Sequence, residues 1–235
     1  MTRVRLSLVV LLSGFLALAG CTGYQPVPLY QLNSGDAAAP QREDGPAVLL
    51  GPVSVADYLQ REALLQRQAD GSLIAASQAS WAGNLAAEID QQLLRQLAWR
   101  LDSQRLVLAP APAGFVAQWQ VLLNISRLDS GPQQPAVLEA QWRLLDKTGQ
   151  LRASRLVRLE ALHQGGTADQ VRAQSLVLQQ LVEQLADAVK TLAAQPLAEV
   201  SDKPAPARPR NRAPAPAPSI PTVEPVRNNL EVFRF

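Results

Sequence analysis

The sequence is short of the residues on which most catalytic and metal-binding chemistry depends. It holds one cysteine, Cys21, and one histidine, His163. A lone thiol cannot close an intramolecular disulfide, and one histidine with no further cysteine falls short of a conventional zinc set. There is no Gly-x-Ser-x-Gly elbow, no phosphate-cradling glycine loop and no paired His/Glu metal spacing. His163, just before Gly165-Gly166, reads as a loop residue, and the carboxylates are scattered over polar faces. These absences argue against an enzyme and against a bound metal. Charge of one sign is missing too. The formal balance is +2, and it falls to about zero once Arg3 and Arg5 are removed, so nucleic acid is not an expected partner. After residue 20, no apolar run approaches the roughly 20 residues that a membrane-spanning helix needs.

What is present begins with the first two dozen residues. Arg3 and Arg5 precede an apolar run of about 15 residues, Leu6 to Gly20, which closes on Leu18-Ala19-Gly20-Cys21. A positive start, a short apolar core and small residues before a cleavage point form the pattern of an exported precursor. The four-residue box resembles the bacterial lipobox, in which the thiol receives a diacylglycerol before the chain is cut ahead of it. A plain secretory leader with a chance cysteine is the alternative. Each buried CH₂ of an acyl chain contributes about 0.8 kcal/mol, so two or more chains anchor stably. The expectation is therefore a mature chain that starts at Cys21, with covalent lipid on Cys21 and no other cofactor.

Four divisions follow from composition: a leader at 1–20, a lipidated N-terminus with a short strand and linker at 21–46, a folded domain at 47–195, and a tail at 196–235. The tail holds nine of the chain's 18 prolines, mixed with alanine and arginine. That composition cannot bury a core. Its last residues, Leu230 to Phe235, alternate apolar and polar and suit addition to a partner's sheet edge, against the plainer reading of an unstructured terminus.

Within the domain, Leu29–Leu32 reads as a first short strand, 33–46 as a loop, and Ala47–Val55 as a strand that Pro52 places at an edge or a bulge. Asp70-Gly71 marks a hairpin between extended segments. Ser80 reads as the start of a helix to Leu101, whose Leu85, Ile89, Leu93, Leu97 and Leu101 make one stripe, with Gln92 and Gln96 on other faces. Arg105–Ala109 is a brief strand. Alternation then sets Trp119, Val121, Leu123 and Ile125 against Gln118, Gln120, Asn124 and Ser126. It next sets Leu138, Ala140, Trp142 and Leu144 against Glu139, Gln141 and Arg143. Asp146–Gly149 turns into a returning strand at Leu151–Leu162. A last helix spans Thr167–Ala194, with Thr167 and Asp169 as N-cap candidates. The tryptophans Trp81, Trp99, Trp119 and Trp142 could line a lipid pocket, but core packing is the default reading.

One stretch is more distinctive than any catalytic motif. It reads Gly51-Pro52-Val53, Asp57-Tyr58-Leu59-Gln60-Arg61, Arg67, then Trp81-Ala82-Gly83-Asn84-Leu85. In these residues the chain resembles the PqiC or YmbA-like family of ABC-type transport auxiliary lipoproteins, over roughly residues 21 to 194. The Gly83-Asn84 pair departs from the Glu-Pro common in that family, and the tail is not covered. The resemblance implies an outer-membrane lipoprotein on the periplasmic face. Its partners would be an MCE-domain protein and inner-membrane transport subunits, with homo-oligomerisation left open. Thr22, in place of the aspartate that retains enteric lipoproteins in the inner membrane, favours the outer membrane.

Tyr58, Arg61, Arg67 and Trp81 are the candidate docking residues, each with a purely structural alternative such as an internal arginine–carboxylate lock. The expected fold class is α+β: a two-layer, mainly antiparallel sheet with two long amphipathic helices on one face. The expected function is an outer-membrane subunit that tethers or docks a lipid conduit without chemistry of its own. A lipid-binding carrier and an envelope scaffold acting through the tail are the alternatives.

Overall fold

Eight strands and two helices follow one another in the computed structural model, which describes residues 26–33 and 35–195. They are β1 (Leu29–Tyr30), β2 (Val48–Val55), a 3₁₀ turn (Asp57–Gln60), β3 (Ala63–Arg67), β4 (Leu73–Trp81), α1 (Leu85–Leu101), β5 (Leu106–Leu108), β6 (Trp119–Gly131), β7 (Gln134–Asp146), β8 (Leu151–Ala161) and α2 (Thr167–Ala194). The leader, Cys21 and the tail with its anticipated Leu230–Phe235 strand lie outside the described residues.

The sheet is organised on β6. One side of β6 carries β7 and then β8, an antiparallel meander with long, continuous register. The other side is shared. β2 runs parallel to the first half of β6, with β5 beyond it, and Gln66 of β3 meets Ser130 near the far end. β3 continues the sheet through β4 to β1. The fold is α+β with a mostly antiparallel sheet, as the alternating pattern predicts.

Burial follows the pleat. Trp119, Val121, Leu123 and Ile125 of β6 and Leu138, Ala140, Trp142 and Leu144 of β7 are buried, while Asn124, Gln141 and Arg143 are exposed. The helices supply the other half of the core. Leu85, Ile89, Leu93, Leu97 and Leu101 of α1 join Val171, Leu178, Leu181, Leu185 and Val189 of α2 in one continuous cluster with the strands. Each such side chain contributes roughly 1.5–3 kcal/mol of burial, so the two stripes hold the helices to the sheet.

The structure departs from the sequence reading in five places. α1 begins at Leu85 rather than Ser80, because Ser80 and Trp81 are strand residues paired with Leu29 and Tyr30. Asn84 is the cap, its side-chain oxygen accepting from the Ala87 N–H at 3.0 Å. Gly166 occupies the N-cap of α2 without a side-chain bond, and Asp169 instead pairs with Arg172. Gln92 and Gln96 are buried rather than facing water. Gln92 Nε2 donates to the Leu32 carbonyl at 2.6 Å, which ties the segment after β1 to α1. Finally, β1 is only two residues long. The bulge expected at Pro52 is present: the β2–β6 register shifts between Leu50 and Val53, where a residue without an N–H cannot continue the ladder.

Candidate functional site

Three of the four docking candidates converge on one carboxylate that the sequence did not single out. Register between β6 and β7 shifts after Ile125. The extra residue at such a bulge reverses which side chains face inward. Beyond it, Leu128, Asp129 and Ser130 are all buried, and Asp129 is 1% exposed. Arg67, the last residue of β3, reaches both of its oxygens: Nε donates to Oδ1 at 2.9 Å and Nη2 to Oδ2 at 2.6 Å. Arg127 Nε donates to Oδ1 at 3.0 Å. Tyr58, in the 3₁₀ turn, donates its hydroxyl to Oδ2 at 3.0 Å and accepts from the Leu128 N–H at the same distance. Arg67 also donates from Nη1 to the Gly71 carbonyl in the β3–β4 turn.

The electrostatics match this geometry. Burial disfavours a charged Asp129, but the hydrogen bonds and charges of Arg67 and Arg127 outweigh it and hold the carboxyl below its ordinary range. Burial pushes the Tyr58 phenol up to about 12, and the neighbouring Asp129 charge adds to that. Its hydrogen bond to Asp129 raises Arg67 further. A carboxylate that accepts four hydrogen bonds has no lone pair poised for proton transfer. The arrangement clamps the 3₁₀ turn and β3 to the end of β6.

Two further features make the clamp depend on close approach. A side chain at Gly131 would place its Cβ 1.8 Å from the Arg67 carbonyl oxygen, so only glycine lets β3 pass beside β6 there. Next to it, Ser130 accepts from Gln174 Nε2 at 2.8 Å, and Gln170 accepts from Gln66 Nε2 at 3.2 Å. A polar ladder thus links β3, β6 and α2 inside the core.

Trp81, the last residue of β4 and 5% exposed, packs beside Tyr58, Leu59, Leu85 and Leu128 around a space of about 10 Å³. It anchors a strand end, not a helix start. Arg61 does not join the cluster: it is exposed and makes no hydrogen bond or ion pair among the described residues. His163 donates from Nε2 to the Gln134 carbonyl at 2.8 Å while Nδ1 accepts from the Gly165 N–H. A neutral ring used on both nitrogens staples the end of β8 to the start of β7. Trp119 and Trp142 are core residues, whereas Trp99 is partly exposed, with the Arg100 guanidinium 5.5 Å from its ring centre.

Asp129 and Arg127 are the residues that sequence reasoning missed. Their signal was the break in alternation at Arg127-Leu128-Asp129-Ser130-Gly131, where a polar run replaces the regular pattern before a turn.

A soluble body clamped by internal ion pairs, with no assembled catalytic group, matches a family of accessory proteins. The model of the ABC-type transport auxiliary lipoprotein component matches residues 30–186, and the chain belongs to that family. Family members are transport-auxiliary lipoproteins rather than enzymes, which places the protein in the cell envelope as a membrane-anchored component. Protein XCC0632 from Xanthomonas campestris, of family DUF330, has a similar fold, with a TM-score of 0.57 and 15% identity. That match covers 72% of this chain and 99% of XCC0632. A crystal structure of an uncharacterized protein aligns at a TM-score of 0.56 and 21% identity, covering 68% and 97% of the two chains. No curated protein is similar enough in sequence to count as a match. Among the described residues, no helix is long and apolar enough to cross a membrane.

Proposed function

We propose that this protein is an outer-membrane subunit of an MCE-type lipid-transport system, held on the periplasmic face by acylated Cys21, and that it docks the periplasmic conduit. The family match beginning only nine residues after Cys21 carries this reading. It joins a transport-auxiliary body directly to an expected lipid anchor. The chemistry of the body is in keeping with it, since its buried polar groups are spent on clamping strands together. The inner-membrane transport subunits are the further partners on this reading, and the anchor is the only cofactor-like group.

Deleting the gene in the native host tests the proposal: envelope permeability rises, and the tagged protein co-purifies with an MCE-domain protein. Unchanged permeability together with absent co-purification refutes it. The carrier alternative is less favoured, because leucine, isoleucine and valine side chains fill the helix–sheet layer where an acyl chain would lie. Native mass spectrometry that finds a bound lipid besides the Cys21 modification would restore it. The scaffold alternative fails if removal of 196–235 has no phenotype.

A further inference from the structure

β8 is an edge strand of 11 residues that hydrogen-bonds to β7 alone. Its outward row of backbone N–H and C=O groups has no partner among the described residues. An edge of this length templates another extended chain unless it is guarded. Arginines are the common guard, and β8 carries Arg152, Arg155 and Arg158. Two of them are engaged: Arg152 lies 3.6 Å from Asp146, and Arg158 pairs with Glu139 and Glu160. Arg155 has no ion pair or hydrogen bond.

Arg155 lines an open groove of about 320 Å³ between β8 and the second half of α2, together with Trp142, Ala153, Asp187, Ala188 and Leu192. Trp142 is 1% exposed, and its indole N–H is a buried donor with no acceptor. Such a donor ordinarily finds a partner when buried. Asp187 stands on the opposite wall, also without a partner. The groove therefore offers a free guanidinium and an unused indole N–H on the sheet side, directly beside an unpaired strand edge.

We propose that this edge and groove receive an extended acidic segment of a partner protein. The segment pairs its backbone with β8 and sends a carboxylate side chain to Arg155 and the Trp142 indole. A polypeptide is the fitting occupant because only an extended backbone satisfies an alternating row of donors and acceptors. The acid is set by the sheet side of the groove, and Asp187 confines it there by repelling it from the helix wall. This docking mode is independent of which transport system the protein serves.

The test uses the full mature chain in detergent, with ¹⁵N-labelled tryptophan. The probe is a nine-residue peptide of alternating threonine and valine with a central glutamate, and its counterpart carries lysine at the centre. Saturable binding of the glutamate peptide should shift the Trp142 indole resonance, assigned by its loss in Trp142→Phe. Arg155→Glu, a change at an exposed position, should lose binding of the glutamate peptide and gain the lysine peptide. Trp142→Phe should weaken the glutamate peptide roughly fivefold, as expected for one hydrogen bond. An unshifted indole resonance overturns the proposal, as does equal binding of both peptides by the native chain and Arg155→Glu. A concentration-dependent shift of the resonance without peptide also overturns it, since a second copy of the chain would then fill the groove.

Discussion

Replacing Asp129 with alanine would leave two guanidiniums facing each other across the gap that their shared counter-ion filled. Arg67 and Arg127 keep only 22% and 23% of their side-chain surface in solvent, and Asp129 keeps 1%. The Tyr58 hydroxyl would lose its acceptor as well. Removing one partner of a buried pair costs about 3–5 kcal/mol. The partial exposure of the arginines lets water recover some of that loss, which points to the lower end, about 3 kcal/mol. With a urea m-value of about 2 kcal/mol/M, the unfolding midpoint of the mature protein should fall by about 1.5 M. Tryptophan fluorescence can follow the transition, with Trp81, Trp119 and Trp142 buried in the native state.

The same change made in an Arg67→Ala background should cost distinctly less, because part of the network is already gone. A midpoint shift worth less than about 1 kcal/mol, or strict additivity of the two changes, would refute the clamp. The pH dependence has a definite sign. The folded carboxyl of Asp129 is held below its unfolded value of 3.8. Its contribution is therefore full above that value and is lost as pH falls through the lower, folded one. Asp129→Asn should flatten that acid limb in urea midpoints measured across pH.

Four other outcomes follow from the same geometry. Gly131→Ala must push the Arg67 backbone away from β6, so it should destabilise by about 2–4 kcal/mol, comparable to severe core strain, in the same urea assay; a shift near zero would show that the strands do not pass so closely. Tyr58→Phe leaves the Leu128 N–H without its acceptor and should cost about 1–3 kcal/mol. In the native protein, the raised Tyr58 value means its stabilisation is complete below pH 10 and disappears as pH rises toward about 12. The Phe variant should lack that alkaline loss in thermal melts. Asn84→Ala removes the α1 cap and should lower stability by about 1 kcal/mol, with Asn84→Ser largely restoring it.

The layers of the fold were legible because period-2 alternation in β6 and β7 and the four-residue stripes of α1 and α2 each point to one buried face. Hairpin turns at Asp70-Gly71 and Asp146–Gly149 were equally readable from their turn residues. Local pattern could not reveal which strands would lie side by side across long separations. The parallel contacts of β6 with β2 and β3 join segments some seventy residues apart, and nothing in either segment names its partner. The start of α1 was misplaced because Ser80 and Asn84 are both good caps in isolation. Tertiary pairing of β4 with β1 decides between them.

The candidate site was half visible for the same reason. Tyr58 and Arg67 stood out as a polar aromatic and a strand-end arginine, but their meeting point depends on a bulge after Ile125 that turns Asp129 inward. Gln92 and Gln96 looked like surface residues by type. They are buried because Leu32 and its neighbours present a backbone carbonyl that Gln92 satisfies.

Intact-mass measurement of the protein taken from separated outer and inner membranes of its native host tests the central claim most directly. The account predicts residues 21–235 carrying a diacylglyceryl group and a third acyl chain, recovered with the outer membrane. An unacylated Cys21, a retained leader or recovery with the inner membrane would contradict it.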